Sequence, residues 1–492
     1  MMEDAVIAAS DAAGRRAVAD QPDGAGPGQV VVSSEAAQCR LGPALPDCFV
    51  TPLLAMTPSL RGLLVALILC LLPLLPAWAV TIERVVSPGG IEAWLVEDHS
   101  NPIISLHLAF RGGSALDPEG KAGLANMVGS LLDEGAGDMD SQTFQGKLED
   151  SAIALGYSAG RDAFHGYLKT LTANRDEAFD LLRLSLTRPR FDGDAVDRVR
   201  GQLLAELAEE LQDPHAIAQR AFAKEMYPNH AYGVPIDGYP QSVSAVTVDD
   251  LKGWVAAHLG RDQLHLAVVG DITAAQLAPL LDHVFGELPA HAAPIAVAEV
   301  VPDAKGQVEV IRRPIPQSVV VFGEQGIKRD DPDWYAAYVM NYILGGGGFS
   351  SRLLTEIRVK RGLAYGAYSY LVPRDHSALI EGGVGTRNDR VAESLSLVRE
   401  QWRHMAETGV TPEELANAKT FLNGSFPLQM DSTQSIASLL VAIQLDRLGI
   451  DYIGRRPGLI DAVTLDDVRR VAARLLDARR LSAVVVGNPA GL

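Results

Sequence analysis

The chain has 492 residues and a formal net charge of −18, with 47% hydrophobic and 21% charged residues. That is ample apolar content for globular domains and too much length for one simple domain. An acidic chain with no basic stripe excludes a nucleic-acid binder on electrostatic grounds.

Residues 1–55 are rich in Ala, Gly, Asp and Pro without a sustained period, and read as disordered or as a segment upstream of the true start. Residues 56–80 then read MTPSLRGLLVALILCLLPLLPAWAV, with Arg61, a short apolar run over 63–75, and the small-x-small site Ala77-Trp78-Ala79. This pattern predicts a secretory signal peptide over 56–79, cleaved after Ala79, with translation starting at Met56 and a periplasmic or otherwise exported product. The run is short and broken by Pro73 and Pro76, so no stable membrane anchor is expected. Cys70 sits in a weak lipobox. Cys39, Cys48 and Cys70 all precede the cleavage site, which leaves no cysteine for disulfides or thiolate chemistry in the mature chain.

The remainder contains an internal repeat. Residues 246–271 (VTVDDLKGWVAAHLGRDQLHLAVVGD) align without a gap on 463–488 (VTLDDVRRVAARLLDARRLSAVVVGN). The period is far longer than a solenoid unit, so it marks a duplicated domain. Each copy predicts an N-capped helix and then a buried strand ending in Gly or Gly-Asn. Half one opens with a strand at 103–110, then Asp117-Pro118 and a helix from about Lys121. Half two opens with a strand at 318–322, then Asp331-Pro332 and a helix from about Asp333. Long helices are expected at 194–210 and 412–423. Strands and helices mix without strict alternation, so the class is α+β. Two homologous domains, 80–288 and 305–492, are expected, joined by a linker at 289–304 that opens on PAHAAPI.

The most informative stretch is 344–370, LGGGGFSSRLLTEIRVKRGLAYGAYSY. Gly345 to Gly348 permit positive φ or close backbone packing. Ser350 and Ser351 offer an N-cap, Leu353, Leu354 and Ile357 mark a buried helical face, and Gly362 stops the helix. A strand at 364–372 follows. Arg358 in the last turn and Tyr365 at the strand start are thereby brought together: a fork of donors for a carbonyl beside a phenol able to donate to a developing oxyanion. The competing structural reading is an arginine at the helix dipole and a tyrosine in a strand.

This stretch resembles the C-terminal-domain signature of the insulinase/pitrilysin family of zinc peptidases (inverzincins), in which a glycine-rich turn, S-S-R-L and R-x-K-R-G-L-A-Y carry a substrate-binding arginine and tyrosine. Arg358 and Tyr365 fall on that pair. The resemblance covers nearly all of the mature chain and implies two homologous α+β domains forming half of a clam-shell chamber, with peptides bound as an added strand. Peptide-cleaving members carry H-x-x-E-H on the first long helix, two zinc-binding histidines around a general base, and a distal glutamate ligand. Here Gly123-Leu124-Ala125 matches the frame, and the motif positions are Asn126, Met127, Val128, Gly129 and Ser130. Both histidines and the base are replaced, and Glu206, at the distal position, is left alone. His215 with His230, and His258 with His265, are the only histidine pairs worth testing as substitutes, and both read as structural or exposed. Residues 157–162 (YSAGRD) keep the family frame of the edge strand, which speaks for a preserved fold.

The resemblance therefore implies a non-catalytic subunit that holds substrate through Arg358 and Tyr365, binds no metal itself, and works with an H-x-x-E-H partner that carries the zinc, as a heterodimeric peptidase acting on peptides. The alternative is a structural or scaffold subunit of the same fold.

Overall fold

The computed structural model describes residues 81–492. The expected start at Met56, the signal segment 56–79 and the segment 1–55 lie outside the described residues.

Half one builds a sheet from β1 (Glu83–Val86), β2 (Glu92–Glu97), β3 (Ile103–Arg111), β4 (Ala154–Ala159), β5 (Ala163–Leu171) and β6 (Leu264–Gly270), in the order β1-β2-β6-β3-β5-β4. Its helices are α1 (Leu124–Gly129), α2 (Ser141–Asp150), α3 (Arg175–Thr187), α4 (Gly193–Glu210), α5 (Pro214–Met226), α6 (Pro240–Ser244), α7 (Val248–His258) and α8 (Ala274–Phe285). Half two contributes β7 (Val308–Arg312), β8 (Gln317–Gln325), β9 (Ala364–Arg374), β10 (Ser377–Arg387) and β11 (Ser482–Gly487), in the order β7-β11-β8-β10-β9. Its helices are α9 (Trp334–Asn341), α10 (Arg352–Leu354), α11 (Val391–Thr408), α12 (Pro412–Ser425), α13 (Thr433–Leu445), α14 (Tyr452–Asp461) and α15 (Leu465–Leu475). Apart from β1, the two sheets share one topology: β2 lies parallel to β6 as β7 does to β11, and every other pair is antiparallel.

The repeat seen in the sequence accounts for this. Thr247 and Thr464 each cap a helix, α7 and α15, and the aspartate three residues on accepts from the threonine amide, at 2.8 Å in half one and 3.0 Å in half two. The strands that follow end on Gly270 and Gly487, at φ +135 and +154. The mixed architecture is the α+β class expected.

Each sheet has two covered faces. Leu106, Leu108, Phe110, Phe164 and Val268 face a core with α1, α2, α3, α7 and α8, and Phe322, Ile380, Val384 and Val485 face the matching core of half two. The opposite faces are covered by exchange. α5 of half one packs Ala218, Phe222 and Met226 onto Val321, Leu379 and Val484 of the second sheet. α13 of half two lies on β3 and β6, where Ser105 and Thr433 hydroxyls meet at 2.8 Å and Gln444 Nε2 donates to the Leu266 carbonyl at 2.8 Å. A buried Phe or Met side chain contributes about 1.5–3 kcal/mol, so each exchanged helix ties the halves substantially. Between Phe285 and Val308 there is no helix or strand. That stretch is held first by half one, through the Ala293 amide on the Ala257 carbonyl (2.6 Å), then by half two, through the Val300 amide on the His376 carbonyl (3.0 Å).

Two local expectations are corrected. α1 begins at Leu124 rather than near Lys121, because Gly123 holds φ +93 and Asp117 accepts from the Gly123 and Ala125 amides at 2.9 Å each. Burial pushes the Asp117 carboxyl up to about 7, against those backbone donors. The helix expected after Ser351 is only a three-residue α turn, α10, which widens into a π turn, Thr355–Val359.

Candidate functional site

The Arg358–Tyr365 region is assembled by a run of irregular backbone. α9 passes into a π turn, Tyr342–Gly346, whose Gly345 lies so close to β9 that a Cβ there would collide with the Ser369 side chain and amide. Asn341 fixes the approach: its Nδ2 donates to the Ser369 carbonyl at 3.1 Å, and the Ser369 hydroxyl donates to its Oδ1 at 2.7 Å. Gly348, at φ +54, turns the chain, and the Ser351 hydroxyl accepts from the Leu354 amide while donating to the Gly348 carbonyl at 2.7 Å. Of the two serines proposed as caps, Ser351 is the one that acts. Leu353, Leu354 and Ile357 are buried as expected. At the far end, the Gly362 amide bonds the Arg358 carbonyl and the Leu363 amide bonds the Ile357 carbonyl, both at 2.9 Å, with Gly362 at φ +61. This is a Schellman-like closure with each bond one residue longer, in keeping with the π turn before it.

Arg358 therefore projects over the start of β9. Its Nη1 donates to the Tyr365 carbonyl at 2.9 Å, and its guanidinium stands 4.4 Å from the Tyr365 ring centroid and 4.7 Å from that of Phe349. The cation is sandwiched between two rings, each such contact being worth about 0.5–1 kcal/mol at an exposed site. Tyr365 is 85% exposed and Phe349 67% exposed. Among the described residues the Tyr365 hydroxyl has no hydrogen-bond partner, and Arg358 makes no hydrogen bond beyond the one to the Tyr365 carbonyl. The two residues thus meet as the sequence predicts, with the Tyr365 hydroxyl and the other Arg358 N–H groups free. Phe349 was not anticipated. Its only signal was an aromatic residue directly after a glycine run. Glu356, on the same turn, is held below the usual carboxylate range by Lys360 first and Arg361 as well.

The positions of the metal motif are elsewhere, on α1. Asn126 and Ser130 lie one turn apart on its half-buried side, and the Ser130 hydroxyl donates to the Asn126 carbonyl at 3.2 Å. Met127 and Val128 are core, and Gly129 is buried against β4. Glu206 is exposed on α4, where it accepts from Gln202 at 3.2 Å. Its charge helps burial raise the neighbouring Asp237 carboxyl above its ordinary range. These residues do not fit a zinc ion: an amide, a hydroxyl and an exposed carboxylate are not a zinc donor set. Among the described residues, no group of three or more His, Cys, Asp or Glu side chains is arranged to hold a metal. His230 bonds the Ala298 carbonyl at 2.9 Å, and His258 packs on Trp254 at 5.0 Å between centroids. His265 lies in β6, where it and His165 flank Ala109 on a single row of the sheet. The 157–162 frame is structural. Tyr157 to Ala159 end the outer strand β4, and Asp162 accepts the Tyr232 hydroxyl at 2.6 Å and the Asp375 amide of half two at 3.2 Å.

Comparison with known proteins now settles the family. Residues 93–238 match the family described as insulinase (peptidase family M16), and residues 245–422 match the peptidase M16 inactive domain. The chain belongs to the M16 peptidase family. A protein named non-peptidase homolog YmxG from Helicobacter pylori is 29% identical over 76% of this chain and 87% of its own length. An uncharacterized zinc protease from Streptomyces coelicolor is also 29% identical, over 83% of this chain and 90% of its own. Equal likeness to relatives named in opposite ways leaves the residues of this chain to decide its chemistry. A crystal structure titled peptidase M16 inactive domain, from Pseudomonas fluorescens, superposes with a TM-score of 0.78 at 28% identity, covering 83% of this chain and 98% of its own. A Helicobacter pylori protease structure with a TM-score of 0.74 is only 19% identical, covers 83% of this chain and 100% of its own, and speaks for the fold alone. This chain is an M16 homologue without the H-x-x-E-H motif.

Proposed function

We propose that this M16 homologue is the substrate-holding, non-catalytic subunit of a heterodimeric peptidase that acts on peptides, its partner being an H-x-x-E-H-bearing subunit of the same family. The observation that carries this reading is the partly free Arg358 fork and the free Tyr365 hydroxyl, presented together at the surface, while Asn126, Gly129 and Ser130 stand where the zinc ligands and the base would be. In this reading the remaining N–H groups of Arg358 donate to a backbone carbonyl of the bound peptide. Tyr365 donates its hydroxyl to the oxygen that gains charge as the bond breaks. The rings of Phe349 and Tyr365 hold the guanidinium in place before substrate arrives, which lowers the ordering cost of binding. Export to the periplasm, after cleavage of residues 56–79, belongs to the same proposal.

One observation favours the scaffold reading. Arg358 already closes the helix-to-strand turn by bonding the Tyr365 carbonyl, so it has a structural use without substrate. Steady-state kinetics on the reconstituted pair separate the two. Tyr365→Phe keeps the ring and is expected to lower kcat about 100-fold with little change in KM, as loss of one oxyanion donor does. Arg358→Ala is expected to raise KM as well, and the double variant to be non-additive. Wild-type rates in both folded variants would leave the scaffold reading standing.

A further inference from the structure

We propose that the cavity beside the Arg358–Tyr365 pair is an anion subsite that takes a carboxylate of the bound peptide, from its C-terminus or from an Asp or Glu side chain. The inference rests on the substrate-holding reading above and deepens it by naming a substrate class. The cavity, about 320 Å³, is lined by Arg361, Gly362, Leu363, Arg387, Arg390 and Glu393. It forms where the closure after the π turn meets the end of β10. The Thr386 hydroxyl donates to the Leu363 carbonyl at 2.6 Å and joins the two segments. Gly362, at φ +61, turns the chain there.

Three arginines and one glutamate line this space, and Glu356 and Asp389 pair with two of those arginines, in a chain whose net charge is −18. Each guanidinium is partly used and partly free. Arg387 spends Nε and Nη2 on Asp389, at 3.0 and 2.7 Å. Arg361 spends Nη1 on the Glu356 carboxylate at 2.6 Å. Arg390 spends Nη1 on Glu393 at 3.1 Å. The remaining nitrogens are available to a ligand, and a fork of N–H donors suits a carboxylate in two-point contact. The side chains of Arg361, Arg387 and Arg390 are 39%, 67% and 48% exposed. Ion pairs that open to solvent add little to stability, so the fold does not require three of them around one cavity.

The position relative to the pair gives the cavity its meaning. Leu363 lies two residues before Tyr365, roughly 7 Å along extended chain. β9 is the outer strand of its sheet among the described residues. A peptide laid along the free edge of β9 with a carbonyl at Arg358 would run on past the start of the strand toward Arg361, Gly362 and Leu363, which line the cavity.

The test uses the purified full chain and a fluorescein-labelled, extended Thr/Val-rich peptide in three forms: a free C-terminal carboxylate, a C-terminal amide, and the amide with one Glu near that end. Anisotropy is expected to show the free-carboxylate or Glu form binding about fivefold tighter than the plain amide at low salt, with the advantage shrinking as salt is added. The advantage is expected to vanish in Arg387→Gln/Arg390→Gln, and Arg361→Gln serves if that pair fails to fold. A gain confined to the free terminus identifies a C-terminal carboxylate, and a gain in the Glu form identifies a side chain. Equal binding of all three forms, with binding still dependent on Arg358, overturns the subsite and keeps the substrate-holding reading. An advantage that survives the arginine variants overturns the subsite too. No binding of any form overturns both.

Discussion

Glu324 offers the sharpest test of the physical picture. It lies on β8 at 3% exposure, and its Oε1 accepts from Trp402 Nε1 at 2.6 Å and from the Asp477 amide at 3.0 Å. Burial pushes its carboxyl from 4.5 up to about 7, with a contribution from the Asp477 charge and against the two donors. Below pH 4.5 the folded and unfolded chains both hold the proton. Between pH 4.5 and 7 the folded chain keeps a proton that the unfolded chain releases, so stability falls as pH rises across that window. At about 1.4 kcal/mol per tenfold change in the proton equilibrium, the gap is worth about 3 kcal/mol by pH 8. Glu324→Gln presents an amide oxygen to the same two donors and has no proton to lose. Urea unfolding of both proteins from pH 4.5 to 8 is therefore expected to show the variant gaining on the wild type by about that amount, and levelling off above pH 7. Parallel stability profiles would mean that this carboxyl ionises in the fold as easily as in the unfolded chain, and the argument from burial would fail.

Three further outcomes are expected. Gly345→Ala forces a methyl into Ser369 and is expected to cost about 1–3 kcal/mol by thermal melt, whereas Gly348→Ala, with open space around it but φ +54, is expected to cost about 1 kcal/mol. Thr247→Ala and Thr464→Ala each remove a capping box and are expected to cost about 1 kcal/mol; being in separate halves, they are expected to add, and a strongly non-additive double variant would show the halves coupled at these helices. N-terminal sequencing of protein from native cells is expected to begin at Val80; a lipid on Cys70 or a retained segment 56–79 would refute the export proposal.

The duplication was legible because its signals are local. A Thr–Asp capping box, a helical period and a strand closing on Gly recur in register, and each depends on residues within one element. Arg358 and Tyr365 were legible for the same reason, being seven residues apart across one turn. What the sequence did not show depends on distant partners. The apolar faces of α5 and α13 announce burial, but their period carries no word on which sheet receives them, and each crosses to the other half. The π turns have no local code that separates them from α-helix. The arginine cavity needs β9 and β10 paired before Leu363 and Arg387 become neighbours. Glu324 was missed because the strand expected at 318–322 runs on to Gln325, and nothing within the strand names Trp402 or Asp477 as its partners.

The site is best understood as a departure from the repeat. In half one the connection into the outer strand runs through a regular helix, α2, into β4; in half two the matching connection is α10, its π turn and Gly362 leading into β9. The π turn adds a residue to the last turn of helix, and each closing bond spans one residue more. That widening is what lays the Arg358 side chain along β9, where the Tyr365 carbonyl and ring receive it. π turns are costly and sparse, and they gather at functional sites. The loss in half one has no such structural cause. A Cβ on Gly129 would meet the Ser158 Cα at 3.4 Å, an ordinary contact, so packing does not require glycine there. Asn126 and Ser130 are half-buried on an intact helical face. Half one thus carries a regular helix without the motif, while half two keeps a π turn, a backbone form that is sparse and gathers at functional sites. That asymmetry is the physical reason to read the Arg358–Tyr365 turn as the working part of the chain.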